Sequence, residues 1–240
     1  MDIKIIHLKE TDSTNRYLAD YHGEEGSTMT VVWADYQTAG RGQGSNTWES
    51  QRGMNLTLSL KTYPKALDAH RQFIVSEATA IAICDALPLG LTIKWPNDIY
   101  WHDSKLSGTL SQCTLHQGLV VQCIVGIGIN ANQTLFTSGA PNPVSLRQIT
   151  GNDVDRESLL TTIVERIAHY MEMVDLGDYS QIDNLYLRHL YRKTGMYLYE
   201  DANGRFEAET AGITPNGHLL LRRRDATIGE YAFKEVAFII

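Results

Sequence analysis

Arg41, set between glycines, and Lys105, just ahead of a glycine-containing strand, are two cations of this sequence that could meet a bound anion. Arg41 lies in the run Gln37-Thr38-Ala39-Gly40-Arg41-Gly42-Gln43-Gly44-Ser45-Asn46-Thr47-Trp48. Glycines let backbone N–H groups approach a ligand and form anion-binding concavities. A guanidinium matches phosphate or carboxylate, and Trp48 offers an aromatic face to a base. An ordinary surface loop has a similar composition, so the segment alone leaves both readings open. It is not a P-loop, since that pattern occurs nowhere in the chain. A second segment is Lys94-Trp95-Pro96-Asn97-Asp98. Pro96 disfavours a helical Trp95 and stops a strand, so Asn97 and Asp98 either sit at a stiff strand edge or form a simple turn. The third is Lys105-Leu106-Ser107-Gly108, where the lysine either aims a charge into a pocket or is solvated. The fourth is Gly126-Ile127-Gly128-Ile129-Asn130. Alternate glycines strip one strand face, so a ligand or a helix backbone packs there closely.

The elements that must position these groups follow from periodicity. Residues 3–8, 28–36 and 91–95 read as strands, and 55–60 alternates strictly, as a half-buried strand does. Capping residues at 11–15 precede a short helix over 16–21. Residues 37–50 and 132–142 read as loops. An i, i+4, i+7 pattern at Ile74, Ala78 and Ile81 predicts a helix over 68–87, stopped by Pro88 and Gly90. Residues 108–116 and 119–129 form a hairpin about Gln117-Gly118, and helices follow at 156–174 and 179–190. From Gly195 onward short β-like runs (196–199, 205–210, 218–221, 231–236) alternate with Asn-Gly turns, the rhythm of a small barrel. A boundary near Lys193 divides the chain into residues 1–192 and 193–240.

The bulk properties exclude several classes. With 43% hydrophobic and 20% charged residues, the chain can bury a core and is not disordered. A formal charge of −7 disfavours nucleic-acid backbones. No apolar run is long enough to span a membrane and the amino terminus lacks a signal pattern, so a cytoplasmic location is expected. Cys84, Cys113 and Cys123 include no C-x-x-C pair and read as small buried side chains.

The order of these segments, from Asp12-Ser13-Thr14-Asn15 through the glycine–arginine run, KWPND, KLSG and GIGIN, closely resembles the biotin–protein ligase family over about residues 5–190. The β-rich tail resembles that family's SH3-like domain. The resemblance implies an α+β fold, with a mixed-sheet catalytic domain of the biotin/lipoate ligase type and a small C-terminal SH3-like β-barrel. It implies formation of biotinyl-5′-AMP from biotin and ATP, with Mg2+ held mainly by substrate phosphates, and transfer of biotin to a biotin carboxyl carrier protein. By the same resemblance, Ser13, Thr14, Asn15, Gln37 and Gly108 line the biotin pocket, and Arg41, Gly42 and Gln43 close over biotin and the adenylate. Trp48 stacks near adenine, while Asn97 and Asn130 serve the nucleotide and metal side. Lys105 faces the biotin carboxylate and the α-phosphate, and Asp98 stands by the acceptor amine. Relatives often carry arginine at Gln43 and glycine near Ser45. A DNA-binding segment is not expected, and a homodimer through a sheet edge stays open. Rival readings are a lipoate or octanoate ligase and a non-enzymatic biotin-sensing regulator.

Overall fold

A computed structural model describes residues 2–22, 28–44, 46–137 and 142–240. Ser45 and residues 138–141 of the expected 132–142 loop lie outside the described residues.

The main sheet is built from β1 (Ile3–Leu8), β2 (Met29–Ala34), β3 (Leu56–Thr62), β4 (Leu67–Asp68), β5 (Thr92–Lys94), β6 (Asp98–Trp101), β7 (Ser104–His116) and β8 (Leu119–Ile129). Its order is β1-β2-β3-β8-β7-β6-β5, with β4 pairing to β8. Only β1 and β2 run parallel; the other pairs are antiparallel. Helices α2 (Ile74–Ala86), α4 (Arg156–Leu176) and α5 (Tyr179–His189) pack together on one side. The short α1 (Thr14–Asp20) packs on β2, β3 and β8, and α3 (Leu146–Thr150) follows the loop after β8.

Two sequence expectations change for the same reason, which is cover on both faces. The alternation in β3 predicts one wet face, yet every residue from Leu56 to Thr62 is buried. Leu56, Leu58 and Leu60 enter the core. The polar positions face α1 instead of water: Lys61 Nζ donates to the Leu18 and Tyr21 carbonyls at 3.1 and 2.9 Å, satisfying acceptors at the end of α1. Similarly, the helix expected over 68–87 is a 3-10 turn at Ala69–Arg71 followed by α2, and α2 is buried around its whole circumference from Ile74 to Cys84. Helix α1 begins at Thr14, two residues earlier than read, and Ser13 makes no capping bond there. Strand β6 was not anticipated; it pairs with β5 and β7, so Asp98 stands in a ladder rather than in a turn.

The C-terminal strands β9 (Tyr197–Asp201), β10 (Gly204–Ile213), β11 (Leu219–Arg223), β12 (Ile228–Tyr231) and β13 (Ala237–Phe238) form an antiparallel sheet in the order β12-β11-β10-β9-β13. That arrangement is consistent with a small SH3-like domain, although the described residues show no pairing that closes a barrel. The strand expected over 231–236 is mostly a turn: Glu235 N donates to the Ala232 carbonyl at 3.1 Å, and Ala232 N donates to Glu235 Oε2 at 2.8 Å. Tyr199, Ala208, Leu219 and Leu221 of this sheet join the same apolar cluster as the main core.

Glu77 sits inside that core at 4% exposure. Burial, with the Asp183 carboxylate beside it, pushes its pKa up to about 9 from 4.5, against a smaller opposing pull from Arg71. Folded Glu77 therefore keeps its proton where the unfolded chain would lose it. Its contribution to stability is complete below about pH 4.5 and declines as pH rises toward 9, by at most about 1.4 kcal/mol per pH unit. Urea unfolding of wild type and Glu77→Gln at about pH 5 and pH 8 is expected to show wild type losing more stability on going to the higher pH. Parallel pH dependences for the two proteins would rule this out.

Candidate active site

One face of β7 and β8 is nearly bare. Gly108 pairs directly with Gly128, and Gly126 lies one inward-facing position further along β8. A Cβ at Gly126 would lie 2.3 Å from Asn15 Oδ1, and one at Gly128 would lie 2.2 Å from Trp48 Cε2. What packs on the alternate glycines is thus a pair of polar and aromatic side chains, not a helix backbone. They border a cleft of about 600 Å³. Ser13, Thr14, Asn15, Gln37, Arg41 and Gly42 line it from one side. Gln43, Trp48, Asn97, Asp98, Lys105, Gly108 and Asn130 complete the set, so every site residue read from the sequence faces this one space.

One end is a polar network centred on the buried Thr14, Asn15 and Ser59. Thr14 N donates to Gln37 Oε1 at 2.8 Å, and Thr14 Oγ1 lies 2.6 Å from Ser59 Oγ. Ser59 Oγ in turn donates to Asn15 Oδ1, and Asn15 Nδ2 reaches Gln112 Oε1 at 3.5 Å. Ser59 and Gln112 were missed by the sequence reading, because each is an unremarkable polar position in an alternating strand. Leu58, Leu110 and Ile127 add apolar lining.

The opposite end is built by the β5–β6 hairpin, whose turn contains a cis Trp95–Pro96 peptide. Three remote groups hold this turn. Tyr186 Oη donates to the Pro96 carbonyl at 2.7 Å, Trp95 Nε1 donates to the Gly217 carbonyl at 2.9 Å, and Asn97 Nδ2 donates to the Thr109 carbonyl at 2.7 Å. Asp98 Oδ1 then pairs with Lys105 Nζ at 2.6 Å. A Cβ at Gly108 would sit 3.2 Å from that Nζ and 3.3 Å from that Oδ1, so glycine leaves room for the ion pair to lie across the strand. Lys105 lies within β7, not ahead of it, and its backbone is fixed by Asn142 and Val144. Asn130 Nδ2 donates to the Val144 carbonyl at 3.1 Å, which ties down the same loop.

Lys94, quoted above without a role, also lines the cleft. Burial lowers its pKa below the ordinary lysine value, and it stands 5.5 and 5.0 Å from the Tyr100 and Phe238 ring centroids. It is paired in register with Asp98, a relation visible in sequence only once the β5–β6 hairpin is known. The described residues of the glycine–arginine run, expected to be irregular, pair across Ser45 as the two arms of a narrow hairpin. Arg41 bridges Thr47, Gly42 N donates to the Asn46 carbonyl at 2.8 Å, and a Cβ at Gly40 would meet the Trp48 carbonyl at 2.8 Å. Among the described residues the Arg41 side chain has no hydrogen-bond or ion-pair partner, and Trp48 Nε1 is buried without one. Phe233, from the C-terminal sheet, lines the cleft as well, a contact no local sequence signal announces.

A mixed sheet with a glycine-floored, cation-edged cleft has the parts to hold an acid beside a nucleotide. The model of the biotin/lipoate A/B protein ligase family matches residues 8–130, and the chain belongs to that family. Its kin there are biotin–protein ligases. It is 33% identical over 228 residues to the biotin–[acetyl-CoA-carboxylase] ligase of Paracoccus denitrificans, covering 90% of this chain and 92% of that protein. It is 31% identical over 230 residues to the bifunctional ligase/repressor BirA of Bacillus subtilis, covering 91% of this chain and 68% of the relative. The solved biotin protein ligase of Aquifex aeolicus in complex with biotin and ATP superposes with a TM-score of 0.77 at 26% identity, covering 98% and 97% of the two chains.

Gly128→Ala is expected to expel the Trp48 indole from its seat. Intrinsic fluorescence should shift to the red as the ring meets water, and stability should fall by about 1–3 kcal/mol, the usual penalty for overpacking. An unchanged spectrum would show that Trp48 does not depend on the bare strand.

Proposed function

We propose that this protein activates biotin with ATP, releasing pyrophosphate, and transfers biotin from biotinyl-5′-AMP to a lysine of a biotin carboxyl carrier protein. The observation that carries this reading is the convergence of Arg41 and Lys105 on one cleft whose other end is the Thr14–Ser59–Asn15 network. A polar closed end suits a ureido ring, which presents both donors and acceptors. A lipoyl or octanoyl chain would instead need an apolar tunnel, and packing it against these polar groups would remove the solvent and ligand hydrogen bonds that a ureido ring can supply.

In the first step the biotin carboxylate attacks the α-phosphorus and the bond to pyrophosphate breaks. Two anions approach each other, so fixed cations must offset the charge that accumulates. Lys105 and Arg41 fill that role, with Lys94 at the edge of the cleft. Asp98 holds the Lys105 ammonium in place until substrate replaces or joins it. The described residues hold no cluster of three His, Cys, Asp or Glu side chains suited to a metal. The carboxamide oxygens of Asn97 and Asn130 fit a Mg2+ that retains waters and binds chiefly through phosphates, where it would add positive charge. Closure of the glycine hairpin would keep water from the mixed anhydride.

In the second step the carrier lysine attacks the acyl carbon, its N–C bond forms, and AMP leaves. An ordinary lysine costs about 4.6 kcal/mol to deprotonate at pH 7. Asp98 orients that amine and accepts its proton, which requires that its partnership with Lys105 loosen at this stage. No described helix is long and apolar enough to cross a membrane. A cytoplasmic location and dimerisation through a sheet edge belong to the same proposal.

A pyrophosphate-release assay with ATP and biotin, run beside lipoate, tests the substrate assignment directly: release with biotin alone supports it, and preference for lipoate overturns it. Lys105→Ala is expected to lower adenylate formation at least about a hundredfold while thermal unfolding changes little. Asp98→Ala should slow single-turnover transfer from preformed adenylate; transfer at the wild-type rate would remove Asp98 from that step.

A further inference from the structure

The turn Ala232–Glu235 carries one side chain that lines the catalytic cleft and one that meets the glycine run beside it. Phe233 lines the cleft and tilts against Trp95, with ring centroids 6.3 Å apart. Lys234 reaches the tip of the glycine hairpin: a Cβ at Gly44 would lie 2.9 Å from Lys234 Nζ. The turn is firmly held. Glu235 closes it through Ala232 N, Val236 is buried behind it, and Trp95 Nε1 bonds Gly217 of the same sheet. Lys234 itself adopts φ 72°, a conformation that side-chain-bearing residues rarely take unless their surroundings fix it. Its ammonium has no hydrogen bond and no carboxylate partner among the described residues; only the Phe233 ring lies within reach, at 5.7 Å. An unpaired cation is thus set against the backbone of the hairpin whose inner side carries Arg41 and Gln43.

We infer that Lys234 is a positioning residue for the nucleotide, a cation lent by the C-terminal sheet to the tip of the glycine hairpin, where it draws the hairpin over the triphosphate and supplies a charge that neutral Gln43 does not. This rests on the reading that the cleft binds ATP. The φ of 67° at Gly44 suits a residue without a side chain, and the missing Cβ leaves room for the Lys234 ammonium beside the backbone.

The test is steady-state pyrophosphate release with ATP and biotin varied separately. Lys234→Ala is expected to raise KM for ATP about tenfold, the size of one lost charge-assisted contact, with KM for biotin and kcat within about twofold. Lys234→Arg should stay near wild type, and Gln43→Arg added to Lys234→Ala should recover most of the loss, because charge rather than shape is what is missing. Thermal melts confirm that each variant is folded. An unchanged KM for ATP in folded Lys234→Ala overturns the inference, as does a loss that falls equally on ATP and biotin and ignores Gln43→Arg, since that pattern marks a merely structural side chain. A wild-type protein with no biotin-dependent pyrophosphate release would instead overturn the underlying function.

Discussion

The site depends on a strip of strand without side chains. Gly108, Gly126 and Gly128 lie together on β7 and β8, and each leaves space that a different partner fills: the Lys105–Asp98 pair, Asn15 and Trp48. Glycine in a strand weakens it, because the backbone has more freedom to lose and nothing to pack. Here the neighbouring strands compensate. β8 pairs along almost its whole length with β3 and β7, and the opposite face of the sheet is sealed by α2 and α4. A flat, rigid, nearly featureless floor lets polar groups from distant parts of the chain lie down at fixed distances from one another. Any side chain there would push one of them off.

Net charge says little about such a floor. The chain carries −7 overall, yet the cleft gathers Arg41, Lys94 and Lys105 around one Asp98, with Glu49 at its outer part engaged to Thr137 N. Local charge counts because a partly closed cleft has a lower effective dielectric than the surface around it. The acidic exterior deters indiscriminate binding of polyanions, while the cleft offers the cations that a single buried anion needs. Asp98 keeps Lys105 from facing its neighbours alone, so the three cations do not form a fully uncompensated cluster.

The sequence exposed those parts of the fold and site whose cause is local. Strands β1 and β8 coincide with their expected bounds, since each is a mainly apolar run with turn or polar residues at its ends. The glycine–arginine run, KWPND and KLSG all line one cleft, which their order along the chain signals through the family resemblance and no segment signals alone. What stayed hidden has non-local causes. Nothing in the alternation of residues 55–60 reveals that α1 covers the polar face of β3, so a half-buried strand is expected where both faces are covered. The β6 strand was obscured by Asn97-Asp98, a pair that favours turns until a partner strand overrides it. Phe233 and Lys94 become site residues only through the way the C-terminal sheet meets the β5–β6 hairpin.

That last junction explains why the chemistry cannot be assigned to the large sheet alone. The turn before Asp98 is held from three directions: by Tyr186 on α5, by Thr109 on β7 and by Gly217 of the C-terminal sheet. Tyr186 is itself wholly buried, edge-on to Phe73 at 5.8 Å, and a Cβ at Gly217 would strike that same Phe73 ring at 2.5 Å. Helix, sheet and hairpin therefore meet at one aromatic contact with no slack. A shift of the C-terminal sheet must move Trp95, and with it the carboxylate that faces Lys105. The apolar cluster runs without a break from α2 through to Leu219 and Leu221, so the two sheets share their packing energy. The C-terminal strands are part of the machinery that fixes the reacting groups, even though among the described residues only Phe233, in the turn after β12, lines the cleft from that side.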